Sequence, residues 1–235
     1  MSLKNEFAIS GNWLFKHRSY LPLTILPLLF YSLFTPVVIS FNLLFYIGLS
    51  ISLLGECIRI ITVAFTPAGT SGRNTKQQQA ASLNQTGIYS IVRHPLYLGN
   101  FLIFLGPFIF AGNICSIIIF ILSFWIYYER IMYAEELFLI SKFGSEYENW
   151  SSKTPAFIPN IASYTPTKSI FSLRKVLERE YSGIYGVFFI FSLLLAFRNY
   201  NLNITPIITS AWKLTLISST LFYIILRTNK KIRRK

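Results

Sequence analysis

The sequence predicts an all-α integral membrane protein of about six transmembrane helices with a cytoplasm-facing pocket, and three observations carry that prediction. The chain is 53% hydrophobic with a mean hydropathy of +0.49, outside the ordinary range of soluble domains. It contains several long apolar runs, and a membrane helix needs about 20 mostly apolar residues to cross a hydrocarbon core of roughly 30 Å. Its Lys and Arg residues gather in alternate loops, the pattern that fixes orientation in a bilayer.

Six stretches read as candidate spans: Leu21–Ser40, Phe41–Phe65, Leu96–Ala111, Ile114–Tyr133, Gly183–Phe197 and Pro206–Leu226. The third and fifth are short, which leaves the count at five or six. Lys16–Ser40 resembles a signal peptide in its basic start, but the run is long, holds Pro22, Pro27 and Pro36, and has no small-residue cleavage pattern. It reads as a retained first span. Lys4, Lys16 and Arg18 precede it. Arg73, Lys76 and Arg93 follow the second, six basic residues from Lys142 to Arg179 follow the fourth, and a basic tail from Arg227 to Lys235 ends the chain. The turns near Ser40 and Gly112 carry no charge. Both termini are thereby expected in the cytoplasm, with the protein in a bacterial inner membrane or an endoplasmic reticulum-type membrane.

The net charge of +13 is spread over membrane-flanking loops with no recognition motif beside it, so it reads as topology and anionic headgroups, with no nucleic-acid partner. Cys57 and Cys115 fall in apolar runs far apart in sequence, which implies neither a disulfide framework nor a metal site. Glu56 and Arg59 lie three residues apart inside the second span and are expected to pair with each other, Arg59 reaching toward the interface.

Three pieces follow along the chain: residues 1–65, an N-terminal transmembrane hairpin; 66–160, a core with two membrane helices; and 161–235, a connecting segment, a C-terminal hairpin and the basic tail. The polar segments Pro67–Thr86 and Lys142–Ser182 are the places where a water-facing site can form. Pro67, Gly69 and Gly72 stop the second helix. Pro95 is tolerated in a first turn and not mid-helix, so the third span is expected to begin near His94, where free backbone amides can hold an anion. Glu129–Ser141 reads as a helix leaving the membrane, stopped by Phe143-Gly144.

The informative constellation is Gly87-Ile-Tyr-Ser-Ile-Val-Arg-His-Pro-Leu-Tyr-Leu-Gly-Asn100, followed by Glu135-Glu136-Leu137, Phe143-Gly144, Tyr147 and Pro159. This block, from about Asn74 to Pro159, resembles the isoprenylcysteine carboxyl methyltransferase and phospholipid methyltransferase superfamily of integral membrane enzymes. The resemblance implies S-adenosylmethionine as cofactor and a lipid or lipid-linked acceptor. Residue by residue, Ala81, Ser82, Leu83 and Asn84 match the loop that lines the cofactor. Tyr89 matches the tyrosine after the glycine, and His94, Pro95, Leu96 and Tyr97 match the cofactor-binding His-Pro-x-Tyr. Glu135 and Glu136 match the cofactor-contacting acidic pair, and Asn74 falls at a further cofactor-facing position. One position departs from the pattern. The family's substrate-side arginine lies four residues before the first Glu, where this chain has Ile131, and Arg130 lies five before it, a rotation of about 100° on a helix.

Methyl transfer asks chiefly for positioning. A Glu can accept from ribose hydroxyls or an ammonium, and aromatic faces can meet adenine or a cation. The chain has no Asp and two His, so bases are few, which favours an acceptor already ionised, a carboxylate or a phosphate as in lipid A. Arg93 and Arg130 are the candidate residues for gripping that anion. Three alternatives stand beside this reading. A phospholipid headgroup amine is a second acceptor class. A sterol-type reductase using NADPH has a related Arg-His-Pro-x-Tyr signature, but position 96 is Leu where reductases carry Asn. A non-enzymatic transporter would use the charged pair in the second span, and no inverted repeat supports it.

Overall fold

The computed structural model describes residues 2–37, 39–67, 70, 78 and 80–232. Asn74, Arg73, Lys76, Gly69, Gly72, Arg233, Arg234 and Lys235 lie outside the described residues. Helices dominate: α1 (Leu3–His17), α2 (Leu26–Ser32), α3 (Phe41–Phe65), α4 (Pro95–Ala111), α5 (Ile114–Phe143), α6 (Ser145–Ser151), α7 (Leu173–Arg179), α8 (Tyr181–Asn201) and α9 (Ser210–Ile232). The extended pairing among the described residues is one antiparallel bridge between Gly87 and Thr165.

Among the described residues three helices, α3, α5 and α8, are long and apolar enough to cross a membrane, and Leu21–Ser32 and α4 are shorter apolar helices. The protein is thus an all-α membrane protein. The candidate stretches map onto these helices unevenly. Phe41–Phe65 coincides with α3, and α4 begins at Pro95, where proline's missing N–H costs nothing. The short stretch from Gly183 proves to be the middle of the 21-residue α8. Leu21–Ser40 is broken, forming a 3-10 turn over Leu21–Ile25 and then α2. The turn carries Pro22 at its start, and Pro27 falls in the first turn of α2, so each proline sits where no intrahelical donor is needed. Glu129–Ser141, expected as a helix leaving the membrane, is helical and continuous with the span before it. It makes up nearly all of the second half of the 30-residue α5, so Glu135 and Glu136 ride on a spanning helix.

The chain forms two compact units, Met1–Pro27 with Phe65–Leu98 and Ile118–Phe171, and Leu28–Ala64 with Gly99–Ile117 and Ser172–Lys235. These interleave along the sequence. In the first unit α1 lies against α5 with nothing between the backbones at Gly11, whose added Cβ would stand 2.1 Å from the Arg130 carbonyl oxygen. In the second, α3 and α4 meet along two pairs of glycines. A Cβ on Gly48 would stand 2.4 Å from the Gly106 carbonyl oxygen, and one on Gly55 would stand 2.6 Å from that of Gly99. Gly48 and Gly55 are one heptad apart, as are Gly99 and Gly106, so one face of each helix is stripped to backbone at successive crossings. Ser52 fills the gap and donates its hydroxyl to the Ile103 carbonyl at 2.9 Å.

The same unit holds a buried charge pair. Arg59 does not pair with Glu56, as the sequence suggested. Its Nε donates to Glu180 Oε2 at 3.0 Å, Nη2 reaches both Glu180 oxygens at 2.9 and 2.8 Å, and Nη1 donates to Asn100 Oδ1 at 2.6 Å. A guanidinium fork fits a carboxylate head-on, which a neighbour three residues along the same helix cannot offer. Glu56 instead lies against Gly183, where a Cβ would meet its carboxylate oxygens at 2.8 and 2.9 Å. That places its carboxyl group beside the first turn of α8.

The glycine crossing gives a direct test. Gly48→Ala and Gly106→Ala should lower the thermal midpoint of the detergent-solubilised protein, a loss of about 1–3 kcal/mol each from overpacking. Gly186→Ala should hold or raise it by up to about 1 kcal/mol, because nothing lies within 4 Å of that position and alanine is the better helix former. Equal effects at all three would contradict the close approach.

Candidate active site

The site is built in the first unit, where the loop before α4 meets the last turns of α5. Gly87 opens it with φ +64 and ψ −132, a conformation that suits glycine. Its N–H donates to the Thr165 carbonyl at 2.8 Å, and the Ser90 hydroxyl returns to the Gly87 carbonyl at 2.7 Å while accepting from the Thr165 N–H at 2.8 Å. The Asn160 N–H donates to the Ile91 carbonyl at 2.9 Å; the Arg93 and His94 N–H groups donate to the Pro155 and Ala156 carbonyls at 2.9 and 3.1 Å. Residues 155–165 thus run as a strap along residues 87–94. The strap is why Phe143-Gly144, Tyr147 and Pro159 belong to one pattern with Arg-His-Pro. Gly144 turns the chain at φ +52 after α5, and α6 packs back through the buried Tyr147 and Trp150. The indole of Trp150 donates to the Tyr89 carbonyl at 3.2 Å.

Arg93 sits at the centre. Its Nε donates to Glu136 Oε1 at 3.0 Å and Nη2 to Oε2 at 3.3 Å, while Nη1 donates to the Ser151 and Thr154 carbonyls, each at 2.8 Å. Four of the five guanidinium donors are used inside the protein, two on carbonyls at the C-terminal end of α6, where the helix dipole favours a cation. The expectation that Arg93 grips an acceptor meets a different placement, because its donors hold α5, α6 and the strap together.

His94 is buried, 7% exposed. Its Nε2 lies 2.9 Å from Glu136 Oε1 and its Nδ1 lies 3.7 Å from Glu135 Oε2. A carboxylate only accepts, so Nε2 carries a proton toward Glu136. One α-helical turn's reach along α4, the ring of Tyr97 stacks on His94 with centroids 5.7 Å apart, and its hydroxyl donates to Glu135 Oε1 at 2.8 Å. Tyr128, on α5, closes over Tyr97 at 4.8 Å. Successive residues Glu135 and Glu136 therefore serve different partners, the first facing Tyr97 and the second facing Arg93 and His94. Burial pushes the Tyr147 phenol above the usual tyrosine range, and the Glu136 carboxylate beside it pushes the same way.

Two arginines differ from the sequence reading. Arg130 is half-buried and turned toward α1, with Nη1 3.4 Å from the Ser10 hydroxyl and its guanidinium 5.1 Å from the Phe7 ring centroid. Ile131, where the family's pattern has arginine, is fully buried. Arg18, which the sequence assigned to topology alone, closes α1 and brings Nη1 to 3.9 Å from Glu135 Oε1, its guanidinium standing 3.7 Å over the Phe15 ring. No local signal marked it, since the contact arises from α1 lying along α5. Ala81, Ser82, Leu83 and Asn84 form an open loop leading into Gly87, exposed at Ala81 and Ser82. The next residue, Gln85, fastens that loop to Glu146 Oε1 at 2.7 Å. Pro95 is buried in the first turn of α4, with Leu96 half-buried beside it and Tyr89 half-buried in the turn before. Among the described residues no group of three His, Cys, Asp or Glu side chains could hold a metal ion.

Known proteins are similar in sequence over this part of the chain. The sequence model of the phospholipid methyltransferase family matches residues 42–146. The protein-S-isoprenylcysteine O-methyltransferase of Schizosaccharomyces pombe is 36% identical over 111 residues, 46% of each chain. That of Saccharomyces cerevisiae is 35% identical over 118 residues, 49% of this chain and 48% of the relative. The cobalt-zinc-cadmium resistance protein CzcN of Cupriavidus metallidurans is 29% identical over 116 residues, 49% of this chain and 51% of the relative. The chain spans about half the length of the curated relatives it matches. The matched residues take in α3, α4 and α5 with the acidic pair, so over this region the chain is similar both to the phospholipid methyltransferase family and to the isoprenylcysteine O-methyltransferases.

Proposed function

We propose that this protein is a methyltransferase that uses S-adenosylmethionine and methylates an ionised oxygen, carboxylate or phosphate, on a lipid or lipid-linked acceptor at the cytoplasmic membrane face. The observation that carries the reading is the carboxylate pair Glu135 and Glu136, held apart in role by Tyr97 on one side and by Arg93 and His94 on the other. A paired carboxylate lined by buried aromatic rings suits a ligand that carries a sulfonium, an ammonium and ribose hydroxyls. The cofactor, when bound, supplies an electrophilic methyl group.

The chain's own residues divide the work. Glu135 and Tyr97 bind polar cofactor atoms, with the loop Ala81–Asn84 and Tyr89 lining the adenosine side. His94 orients Glu136, and Arg93 is a positioning residue that fixes Glu136 and the strap. Arg18 takes the acceptor's anion in place of Arg93 and Arg130, because it alone of the three guanidinium groups borders Glu135 in this geometry. An ionised oxygen needs no base, and the His94 Nε2 and Tyr97 hydroxyl protons are already directed at carboxylates. Relatives named isoprenylcysteine O-methyltransferases support an oxygen acceptor over an amine. The acceptor reaches the site from within the leaflet, and the alternation of basic loops supports a cytoplasmic side for that leaflet.

Two outcomes are expected. Calorimetry should register binding of S-adenosylmethionine and of its demethylated product. Glu135→Gln and His94→Ala should each weaken it by roughly 10- to 100-fold, the loss of a charge-assisted hydrogen bond of about 1.5–3 kcal/mol. Unaltered binding in both folded variants would refute the cofactor site. Kinetically, Arg18→Gln should raise KM for the lipid acceptor about tenfold or more while cofactor affinity holds, and Arg93→Gln should lower thermal stability and cofactor affinity together. The reverse split would transfer the acceptor to Arg93.

A further inference from the structure

The strap after α6 carries apolar side chains that no part of the proposed chemistry uses. Ile158 and Ile161 are each 78% exposed, Ile170 is 88% exposed, and Tyr164 and Phe171 are exposed as well. Sequence composition had marked this region as water-facing. Yet its backbone is fixed as far as Thr165, since Asn160, Ser163 and Thr165 all hydrogen bond to residues 87–91, so Ile158, Ile161 and Tyr164 are presented outward by a fixed frame, and Ile170 and Phe171 follow on the chain just beyond it. Charge is equally one-sided. From 149 to 171 there is no acidic residue, while Lys153 and Lys168 lie there. The segment also begins on a membrane helix, with the Phe157 ring 5.7 Å from that of Trp125, itself exposed on the flank of the spanning helix α5.

We infer that residues 158–171 form an interfacial docking surface for an anionic lipid bilayer, with Ile158, Ile161 and Ile170 entering the boundary between headgroups and acyl chains, and Lys153 and Lys168 meeting the phosphates. Apolar residues flanked by cations and free of carboxylates are what such an interface selects, and an interfacial tyrosine such as Tyr164 is enriched there. The lipid contact sits next to the reacting groups by construction, because the same strap supplies the carbonyls of Thr154, Pro155 and Ala156 that hold Arg93 and His94. A lipid-borne substrate then need not leave the leaflet to come within reach of that strap.

The test uses the full chain with Cys57 and Cys115 replaced by alanine, carrying one new cysteine at a time: Ile161→Cys, Ile170→Cys, or Asn149→Cys as an exposed control on α6. An environment-sensitive nitrobenzoxadiazole label is attached and the protein is reconstituted in phosphatidylcholine vesicles with or without phosphatidylglycerol. Both isoleucine side chains are largely exposed, so replacing them removes little packing. At 161 and 170 the emission should shift to the blue, quenching by aqueous iodide should fall several-fold below that at 149, and quenching by shallow doxyl lipids should rise. Each effect should grow with phosphatidylglycerol and shrink again with Lys168→Gln. Iodide access at 161 and 170 equal to that at 149, or signals indifferent to phosphatidylglycerol, would overturn the inference. Neither outcome bears on cofactor binding, so the methyltransferase reading stands or falls separately.

Discussion

The arrangement of the site depends on one charged contact, the guanidinium of Arg93 shared between Glu136 and the carbonyls of Ser151 and Thr154. Taking such charges out of water costs several kcal/mol per ion and is offset only when nearly every donor finds an acceptor. Here that condition ties three separate stretches to one point: the turn before α4, the end of α5, and the chain after α6. With Glu136 held there, its other face is available to His94, and Glu135, one residue back, is left for Tyr97. The assignment of two adjacent carboxylates to different partners follows from this packing.

Charge balance links the site to the proposed reaction. Arg18 and Arg93 face Glu135 and Glu136, two cations against two carboxylates. S-Adenosylmethionine brings a net positive charge and an ionised acceptor a negative one, so the loaded site stays near neutrality in a medium that penalises net charge. Methylation removes charge from both ligands. The methylated product then has less electrostatic reason to stay beside an arginine, and a lipid product can return to the leaflet.

Much of this was legible in the sequence because it is local. Proline at a helix start, apolar runs of spanning length, and glycines at the turns at 87 and 144 each act within a few residues, and α3, the start of α4 and the end of α5 appear where those signals put them. The spaced motif also named the residues that gather: Arg93, His94, Tyr97, Glu135 and Glu136. What was not legible is set by contacts distant in sequence. Arg59 joins Glu180 across 121 positions, and Arg18 reaches Glu135 only because Gly11 lets α1 lie against α5. An arginine beside a histidine read equally well as an anion clamp, and only its donors' partners revealed that Arg93 holds the strap. Exposed isoleucines in a polar loop were invisible for the same reason, since composition averages over the segment that presents them.

The central claim is that a methyl group passes from S-adenosylmethionine to an oxygen on a lipid. The most direct measurement incubates the reconstituted protein with cofactor labelled in its methyl group, extracts the lipid-linked fraction, and treats it with mild alkali. The account predicts label in that fraction, absent with the Glu135→Gln variant, and released as methanol by base when the acceptor is a carboxylate or retained as a methyl phosphate when it is a phosphate. Label recovered as a methylamine after acid hydrolysis, or no label in any extracted lipid while the wild-type protein binds the cofactor, would contradict it.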